Sequence, residues 1–194
     1  MPYGEADMRA LIALISMPTL MLTLMLTSAS VMADECPAYL NHDLRKLHSS
    51  DSVNLCDIAA DKPMLVVNTA SRCGFTGQFE GLEALHKEFS GKGLVVVGFA
   101  SNDFRQEADS EAEAASVCFK NYGVTFTMIA PTAVTGSEAN PVFQAINSQS
   151  SQPRWNFHKY VLNARGEVVE GFSSSVKPDA PELRSAVERV VANR

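Results

Sequence analysis

Two short apolar runs, rich in β-branched residues, predict buried strands. Met64–Thr69 ends in a Ser-Arg-Cys-Gly turn, and residues 94–99 repeat the apolar pattern. Such continuous runs are typical of strands buried on both faces. Between them, apolar residues recur at helical spacing over 78–90, and two glycines follow. The order strand, helix, strand predicts a right-handed βαβ unit, whose functional edge lies beyond the carboxyl ends of its parallel strands.

The second half of the chain predicts a helix, a hairpin and a closing helix. Ser110 and Glu113 form a capping box that opens a helix over 110–121. Two apolar runs around a short turn predict a hairpin over 160–172, and 180–193 has the pattern of an amphipathic helix. Together with the βαβ unit, this order predicts an α/β thioredoxin-like fold, with a central mixed sheet flanked by helices.

The N-terminal segment has a composition of its own. Residues 10–26 are apolar and uncharged, and Val31 and Ala33 occupy the −3 and −1 positions of a signal-peptidase site. We expect residues 1–33 to be a signal peptide cleaved after Ala33, which makes the protein periplasmic or secreted and leaves it without stable membrane contact. The alternative is an uncleaved membrane anchor, because the apolar run approaches the length that a bilayer requires.

The rest of the chain is expected to form an N-terminal extension, 34–60, and one domain, 61–194. An apolar share of 46% with 20% charged residues among 194 suits a soluble globular core. The net charge of −6 and the scattered basic residues argue against nucleic-acid binding. The histidines show no ligand spacing with the cysteines, so we expect no metal and no cofactor. The chain lacks a long hydrophobic insertion, and we expect a monomer.

Cys36 and Cys56 both lie in the extension, before the first strong strand. In an oxidising compartment a disulfide between them would hold an arm that has little core of its own. Its closed loop of about 20 residues would stabilise the fold by roughly 3 kcal/mol in the chain-entropy model. Two free thiols remain the alternative, since sequence does not fix the pairing of four cysteines.

Cys73 follows the first strand of the βαβ unit and precedes its helix. Backbone amides and the helix dipole favour an anion at this place, and the thiolate is the nucleophilic form of cysteine. Thr76 stands where a second cysteine would complete a Cys-x-x-Cys motif, so ordinary dithiol exchange is disfavoured. Peroxide reduction needs only one attacking sulfur, which becomes a sulfenic acid that a second thiol resolves. A small buried hydrophobic residue is the other interpretation of Cys73.

Four segments resemble the glutathione peroxidase family in order and spacing. They are Asn-Thr-Ala-Ser-Arg-Cys-Gly-Phe-Thr at 68–76, Gly-Phe-Ala-Ser-Asn at 98–102, Tyr-Gly-Val-Thr-Phe at 122–126 and Trp-Asn-Phe-His-Lys at 155–159. The resemblance covers about 57–192 and implies the thioredoxin-like fold. It also implies a peroxidase that reduces hydrogen peroxide and organic or lipid hydroperoxides in oxidative stress defence. A peroxide sensor that passes oxidation to a partner is the alternative function.

The same resemblance implies an active site around the peroxidatic Cys73. Gln106, Trp155 and Asn156 would each donate a hydrogen bond to the thiolate or to a peroxide oxygen. Two further residues, Ser101 and Asn102, would shape the pocket floor. Because the loop before Gln106 is one residue shorter than is usual in the family, a solvated loop glutamine is the other interpretation of that residue.

Cys118 matches the resolving cysteine of the thioredoxin-dependent members. The resemblance implies that sulfenic Cys73 condenses with Cys118 and that a thioredoxin-like protein reduces the bond, with glutathione as the alternative reductant. Glutathione would need a basic pocket, for which Arg72 and Arg105 are the local candidates. A disulfide requires Cα atoms within about 7 Å. We expect the reduced thiols to lie farther apart, so that the helix of Cys118 must open; a buried structural role is the other interpretation of Cys118.

Overall fold

The computed structural model describes residues 36–193. Its N-terminal part contains strands β1 (Asp43–Arg45) and β2 (Ser52–Asn54), which pair antiparallel, and the short helix α1 (Leu55–Ala59). The predicted signal peptide, 1–33, lies outside the described residues. Among the helices that the structure describes, none is long and apolar enough to span a bilayer.

A five-stranded mixed sheet forms the centre of the fold. Its strands run in the spatial order β5-β4-β3-β6-β7, with β3, β4 and β5 parallel and β6 and β7 antiparallel to their neighbours. This arrangement confirms the predicted α/β fold with a mixed sheet. The strands are β3 (Met64–Thr69), β4 (Val95–Ala100), β5 (Thr127–Ile129), β6 (Lys159–Leu162) and β7 (Val168–Phe172).

Helices cover both faces of the sheet. Helices α2 (Gln78–Phe89), α3 (Glu111–Ala115) and α5 (Pro181–Ala192) pack in one apolar cluster, and α1 and α4 (Pro141–Gln149) pack in the other. The predictions of α2 and α5 are confirmed. Strand β5 and α4 were not predicted, although Asn140 before α4 carries a capping signal: its side chain accepts a hydrogen bond from the backbone N–H of Phe143, 3.1 Å away.

The helix predicted over 110–121 changes type along its length. Ser110 caps it as expected, accepting a hydrogen bond from the Glu113 N–H at 3.3 Å. Only α3 is α-helical; Ser116–Asn121 continues as a π-helix. Widened turns of this kind are rare and are frequently found at functional sites. Cys118 lies within the π-helical segment and is buried.

The N-terminal extension packs more closely than the sequence indicated. Leu40, Leu55 and Ala59 are buried in the cluster that contains α1 and α4. A disulfide joins Cys36 to Cys56, with their Cα atoms 5.8 Å apart. The predicted pairing is therefore confirmed, and the bond holds the start of the described chain against α1.

His158 is a buried ionisable group at the start of β6. It is 7% exposed and stacks on Tyr160, with ring centroids 4.9 Å apart. Burial, and then the positive charges of Lys159 and Arg154, lower the pKa of His158 from its usual 6.5 to about 4. The neutral imidazole is therefore the form that the fold accommodates.

We expect removal of the disulfide to destabilise the protein without changing its fold. The Cys36→Ser/Cys56→Ser double variant should lose about 3 kcal/mol in the free energy of unfolding, the chain-entropy contribution of a loop closed over this length. Urea unfolding followed by circular dichroism measures the loss, and mild reduction of the wild type should reproduce it. Equal unfolding midpoints for the two proteins would contradict the expectation.

The buried imidazole predicts acid destabilisation. In the unfolded chain His158 binds its proton near pH 6.5, whereas in the folded protein it does so only near pH 4. Its contribution to stability is therefore present above pH 6.5 and is lost as the pH falls toward 4, by up to about 3 kcal/mol. The His158→Gln variant should show a shallower loss of stability over that range in urea unfolding, whereas a matched variant at the exposed His42 should follow the wild type. Parallel curves of unfolding free energy against pH for all three proteins would contradict this expectation.

Candidate active site

Cys73 lies in the loop between β3 and α2, at the carboxyl edge of the sheet. Its side chain is buried, and the backbone N–H of Phe75 points at its Sγ from 3.5 Å. Helix α2 begins only at Gln78, so the amide that contacts the sulfur belongs to the loop and not to the first turn of the helix. Cys73 is a free thiol. The loop thus holds a buried sulfur with a hydrogen-bond donor directed at it.

The loop of Cys73 is fixed to the segment that carries Gln106. The backbone N–H of Arg72 donates to the carbonyl of Gln106 at 2.8 Å. The backbone N–H of Ser71 donates to the carboxylate of Glu107 at 3.1 Å, and the Ser71 hydroxyl donates to the same oxygen. These bonds bring Gln106 beside the loop of the reactive cysteine.

Asn68, in the central strand, fixes the segment that carries Trp155 and Asn156. Its amide donates to the carbonyl of Trp155 at 3.1 Å and accepts from the N–H of His158 at 3.1 Å. Its backbone carbonyl accepts from the N–H of Phe157 at 2.6 Å. Phe157 has a φ of 62°, a left-handed conformation that is unusual for a bulky residue. The bonds to Asn68 on either side of Phe157 hold this conformation.

Gln106 and Asn156 meet, although they are far apart in the sequence. The Asn156 amide donates to the Gln106 Oε1 at 3.2 Å, so Gln106 is not an isolated solvated side chain. Asn156 is fully buried, and its Oδ1 has no hydrogen-bond partner among the described residues. A buried polar atom without a partner is costly unless a ligand or water satisfies it. The pair therefore offers polar atoms to a bound molecule at the sheet edge that carries Cys73.

Trp155 is an exposed member of the predicted site. It is 40% exposed, and its ring packs against Phe104, with centroids 5.4 Å apart. It is therefore not a core residue. An exposed Trp155 packed on a half-buried Phe104 can contact an apolar part of a substrate.

Ser101 and Asn102 support the loop that carries Gln106. The Ser101 hydroxyl accepts from the Asp103 N–H at 3.3 Å, and the Asn102 side chain accepts from the Glu107 N–H at 3.2 Å. Ser101 is fully buried, whereas Asn102 is exposed. Their bonds fix the turn that carries Gln106. The sequence had led us to expect these two residues at the floor of the pocket.

Arg72 and Arg105, the two arginines considered for a glutathione pocket, differ in whether they are already paired with carboxylates. Arg72 binds Asp109 at 2.9 Å and Glu113 at 3.1 Å, and hydrogen bonds to these carboxylates raise the pKa of its guanidinium. Arg105 is exposed, has a φ of 57° and forms no ion pair within residues 36–193. Arg105 alone is therefore free to meet an anion.

Cys118 is buried and free in the same apolar cluster as Cys73. Burial, and then the negative charge of Glu107, raise the pKa of the Cys118 thiol to about 12. In the closed structure it therefore carries its proton at neutral pH. The two cysteines share a core without a bond between them.

Two contributors to the site were not predicted individually. Asn68 is a polar residue in an otherwise apolar buried run, and Glu107 is a carboxylate next to Gln106 that is only 7% exposed. A polar residue inside a strand buried on both faces is the signal that identifies Asn68. No pattern in the sequence marks Glu107 as buried. Within residues 36–193 there is no group of three or more His, Cys, Asp or Glu side chains that could hold a metal.

Comparison with known proteins identifies the family of this chain. The glutathione peroxidase family model matches residues 42–147. The glutathione peroxidase-like peroxiredoxin gpx1 of Schizosaccharomyces pombe is 44% identical over 136 residues, covering 67% of this chain and 85% of the relative. The hydroperoxy fatty acid reductase gpx1 of Synechocystis sp. is 36% identical over 142 residues, covering 67% and 83%.

A solved structure supports the fold. The crystal structure of Trgpx in apo form superimposes with a TM-score of 0.62 at 23% identity, covering 81% of this chain and 97% of that one. This structural match supports the fold alone, whereas the family model and the relatives identify the family. The chain belongs to the glutathione peroxidase family.

Proposed function

We propose that this chain is a thiol peroxidase that reduces hydroperoxides with Cys73 as the attacking residue. The observation that carries the proposal is the meeting of three segments at one edge of the sheet: the loop of Cys73, the Gln106 segment tied to it, and the Asn156 amide bonded to Gln106. The relatives include peroxiredoxins and a hydroperoxy fatty acid reductase by name. Hydrogen peroxide and organic or lipid hydroperoxides are the substrates we propose.

In the first step, the Cys73 thiolate attacks an oxygen of the hydroperoxide. The S–O bond forms as the O–O bond breaks, and the leaving alkoxide or hydroxide takes a proton and departs as alcohol or water, leaving a sulfenic acid. The Phe75 N–H is placed to stabilise the negative sulfur before the attack. The Gln106 and Asn156 amides and the Trp155 indole N–H are the groups we assign to the peroxide oxygens.

In the second step, we assign Cys118 to the attack on the sulfenic sulfur. Cys118 is buried, and the closed structure disfavours its thiolate. The π-helical segment Ser116–Asn121 supports an opening step, because its backbone has already departed from the regular α-helical bonding of α3. Opening would release Cys118 to reach Cys73 and form a disulfide.

We propose a thioredoxin-like dithiol protein as the reductant of that disulfide. A dithiol attacks one sulfur and then releases itself by intramolecular exchange, so it needs no anion pocket on this chain. Glutathione carries carboxylates, and one of the two candidate arginines, Arg72, is already bound to Asp109 and Glu113. This occupancy favours the dithiol over glutathione.

For location and assembly, we propose an exported monomer. Export is supported by the signal-like sequence of residues 1–33 and by the Cys36–Cys56 disulfide, a bond that persists in oxidising compartments. The monomer is supported by the lack of a long hydrophobic insertion in the sequence. Detection of mature protein beginning at residue 34 in a periplasmic or secreted fraction would support it. Full-length protein that remains in the membrane fraction would favour the uncleaved anchor.

We expect the two free cysteines to divide the reaction between them. Cys73→Ser should lose all peroxide turnover, because it lacks the attacking sulfur. Cys118→Ser should lose turnover driven by thioredoxin and its reductase, yet should still react with one equivalent of hydrogen peroxide at the wild-type rate. Peroxide consumption and a single-turnover assay measure the two quantities. Full thioredoxin-driven turnover in Cys118→Ser would contradict its resolving role, and an absence of wild-type turnover with any reductant would favour the sensor.

The hydrogen bond between Asn156 and Gln106 predicts that Asn156 has a large effect on the rate of peroxide reduction. Asn156→Ala should slow the reaction of Cys73 with hydrogen peroxide by about 100-fold, the usual effect of removing one preorganised donor from a site where charge develops. Asn140→Ala is the matched control. It removes the capping amide of α4, which should lower stability by about 1 kcal/mol but leave the peroxide rate unchanged. A decrease below threefold in Asn156→Ala would exclude the amide from the reaction.

A further inference from the structure

Glu107 is a buried carboxylate that the mechanism above does not use. It is 7% exposed and accepts three hydrogen bonds: from the Ser71 N–H, from the Ser71 hydroxyl and from the Ala108 N–H. Of the ion pairs among the described residues, none includes Glu107; the neighbouring Arg72 binds Asp109 and Glu113 instead. Burial of a carboxylate without a cation is costly, so its placement calls for a reason.

The position of Glu107 relates it to both free cysteines. Through Ser71 it is attached to the loop of Cys73, two residues before the sulfur. It is also close enough to Cys118 for its charge to act on that thiol. Because its bonds join it to Ser71 and not to 116–121, Glu107 would stay attached to the loop of Cys73 when the π-helical segment opens. A thiol that approaches Cys73 therefore also approaches this carboxylate.

We propose that Glu107 accepts the thiol proton of Cys118 in the step that forms the Cys73–Cys118 disulfide. This inference rests on the proposed function, in which Cys118 resolves the sulfenic acid. The step needs such a group, since a protonated thiol is a poor nucleophile. Once Glu107 has accepted the proton, it is neutral and no longer opposes the negative charge on the sulfur.

The atoms and electrons of this step balance. The Cys118 sulfur forms the S–S bond with the Cys73 sulfur, and the S–O bond of the sulfenic acid breaks. The hydroxide that leaves takes the proton held by Glu107, which regenerates the carboxylate and releases water. The Cys118 sulfur is oxidised and the Cys73 sulfur is reduced, and the hydroperoxide of the first step is the only oxidant.

Charged residues flank Glu107 on its own segment and on the Cys73 loop. From its own segment and α3, Asp109, Glu111 and Glu113 are acidic; from the Cys73 loop, Arg72 is basic and paired. Glu111 binds Arg45 of β1. Glu113 is the matched control for Glu107, because it is a carboxylate of the same region whose partner is Arg72 and not Ser71.

The test separates the two chemical steps in the full mature chain. One equivalent of hydrogen peroxide is mixed with reduced protein, samples are quenched with dimedone or with acid and alkylating reagent, and intact mass reports the sulfenic acid and the disulfide. In Glu107→Gln, the sulfenic acid should form at the wild-type rate, and the disulfide should form at least about 100-fold more slowly, the lower end of what general-base catalysis contributes. Glu113→Gln should match the wild type.

The pH profile distinguishes proton transfer from a structural role. Disulfide formation in the wild type should change little between pH 6 and 9, whereas in Glu107→Gln it should rise toward tenfold per pH unit as hydroxide replaces the lost base. Glu107→Asp should recover part of the rate. A wild-type profile that itself rises tenfold per unit overturns the inference, and this measurement requires no folded variant.

The remaining outcomes are equally decisive. Disulfide formation in Glu107→Gln within twofold of the wild type, or an equal decrease in Glu113→Gln, overturns the role of Glu107. If wild-type Cys73 forms no sulfenic acid at all, the proposed function itself has failed, and the dimedone adduct reports that failure separately.

Discussion

The site depends on the side chain of Asn68 in the central strand. This amide is fully buried and bonds in both directions to the segment before β6, to the Trp155 carbonyl and to the His158 N–H. The same strand leads directly into the loop of Cys73, so one residue of β3 sets the position of two parts of the site. A buried amide with both ends bonded has few alternative orientations, because each unmade bond would leave an unpaired polar group in the core. The strained backbone of Phe157 is the local cost of this arrangement.

The two free cysteines have different surroundings. Both lie in one apolar cluster, and the backbone N–H of Phe75 is directed at the Cys73 sulfur. Cys118 has the opposite environment, with burial and the charge of Glu107 both opposing ionisation. The fold thus separates an attacking sulfur from one that stays protonated until the backbone around it rearranges. The change from α3 to a π-helix at Ser116 lies where that rearrangement is needed.

The sequence predicted the parts of the fold that follow from periodicity. Strand β3, helix α2, the hairpin of β6 and β7, and α5 were predicted because their apolar spacing or turns are clear. Strand β5 was missed because it has only three residues, too few to show a period. The π-helical segment was predicted as a regular helix, since no local pattern distinguishes a widened turn.

The sequence predicted which residues belong to the site, but it did not predict which of them contact one another. Cys73, Gln106, Trp155 and Asn156 came from position and from family resemblance, whereas the bond between Gln106 and Asn156 depends on tertiary packing. Arg72 pairs with Asp109 and Glu113, and Glu107 is buried, because α3 and the segment before it pack on the Cys73 loop. Such contacts join residues distant in sequence, and no local pattern encodes them.

We propose that oxidation joins Cys73 to Cys118 and that the segment 116–121 opens for this bond to form. Amide hydrogen exchange, read by mass spectrometry on reduced protein and on protein treated with one equivalent of hydrogen peroxide, tests it most directly. Peptides covering 116–121 should lose protection on oxidation while β3 and β4 keep theirs, and a Cys73–Cys118 disulfide should be present. Formation of that disulfide with unchanged protection over 116–121, or oxidation that leaves Cys118 free, would contradict it.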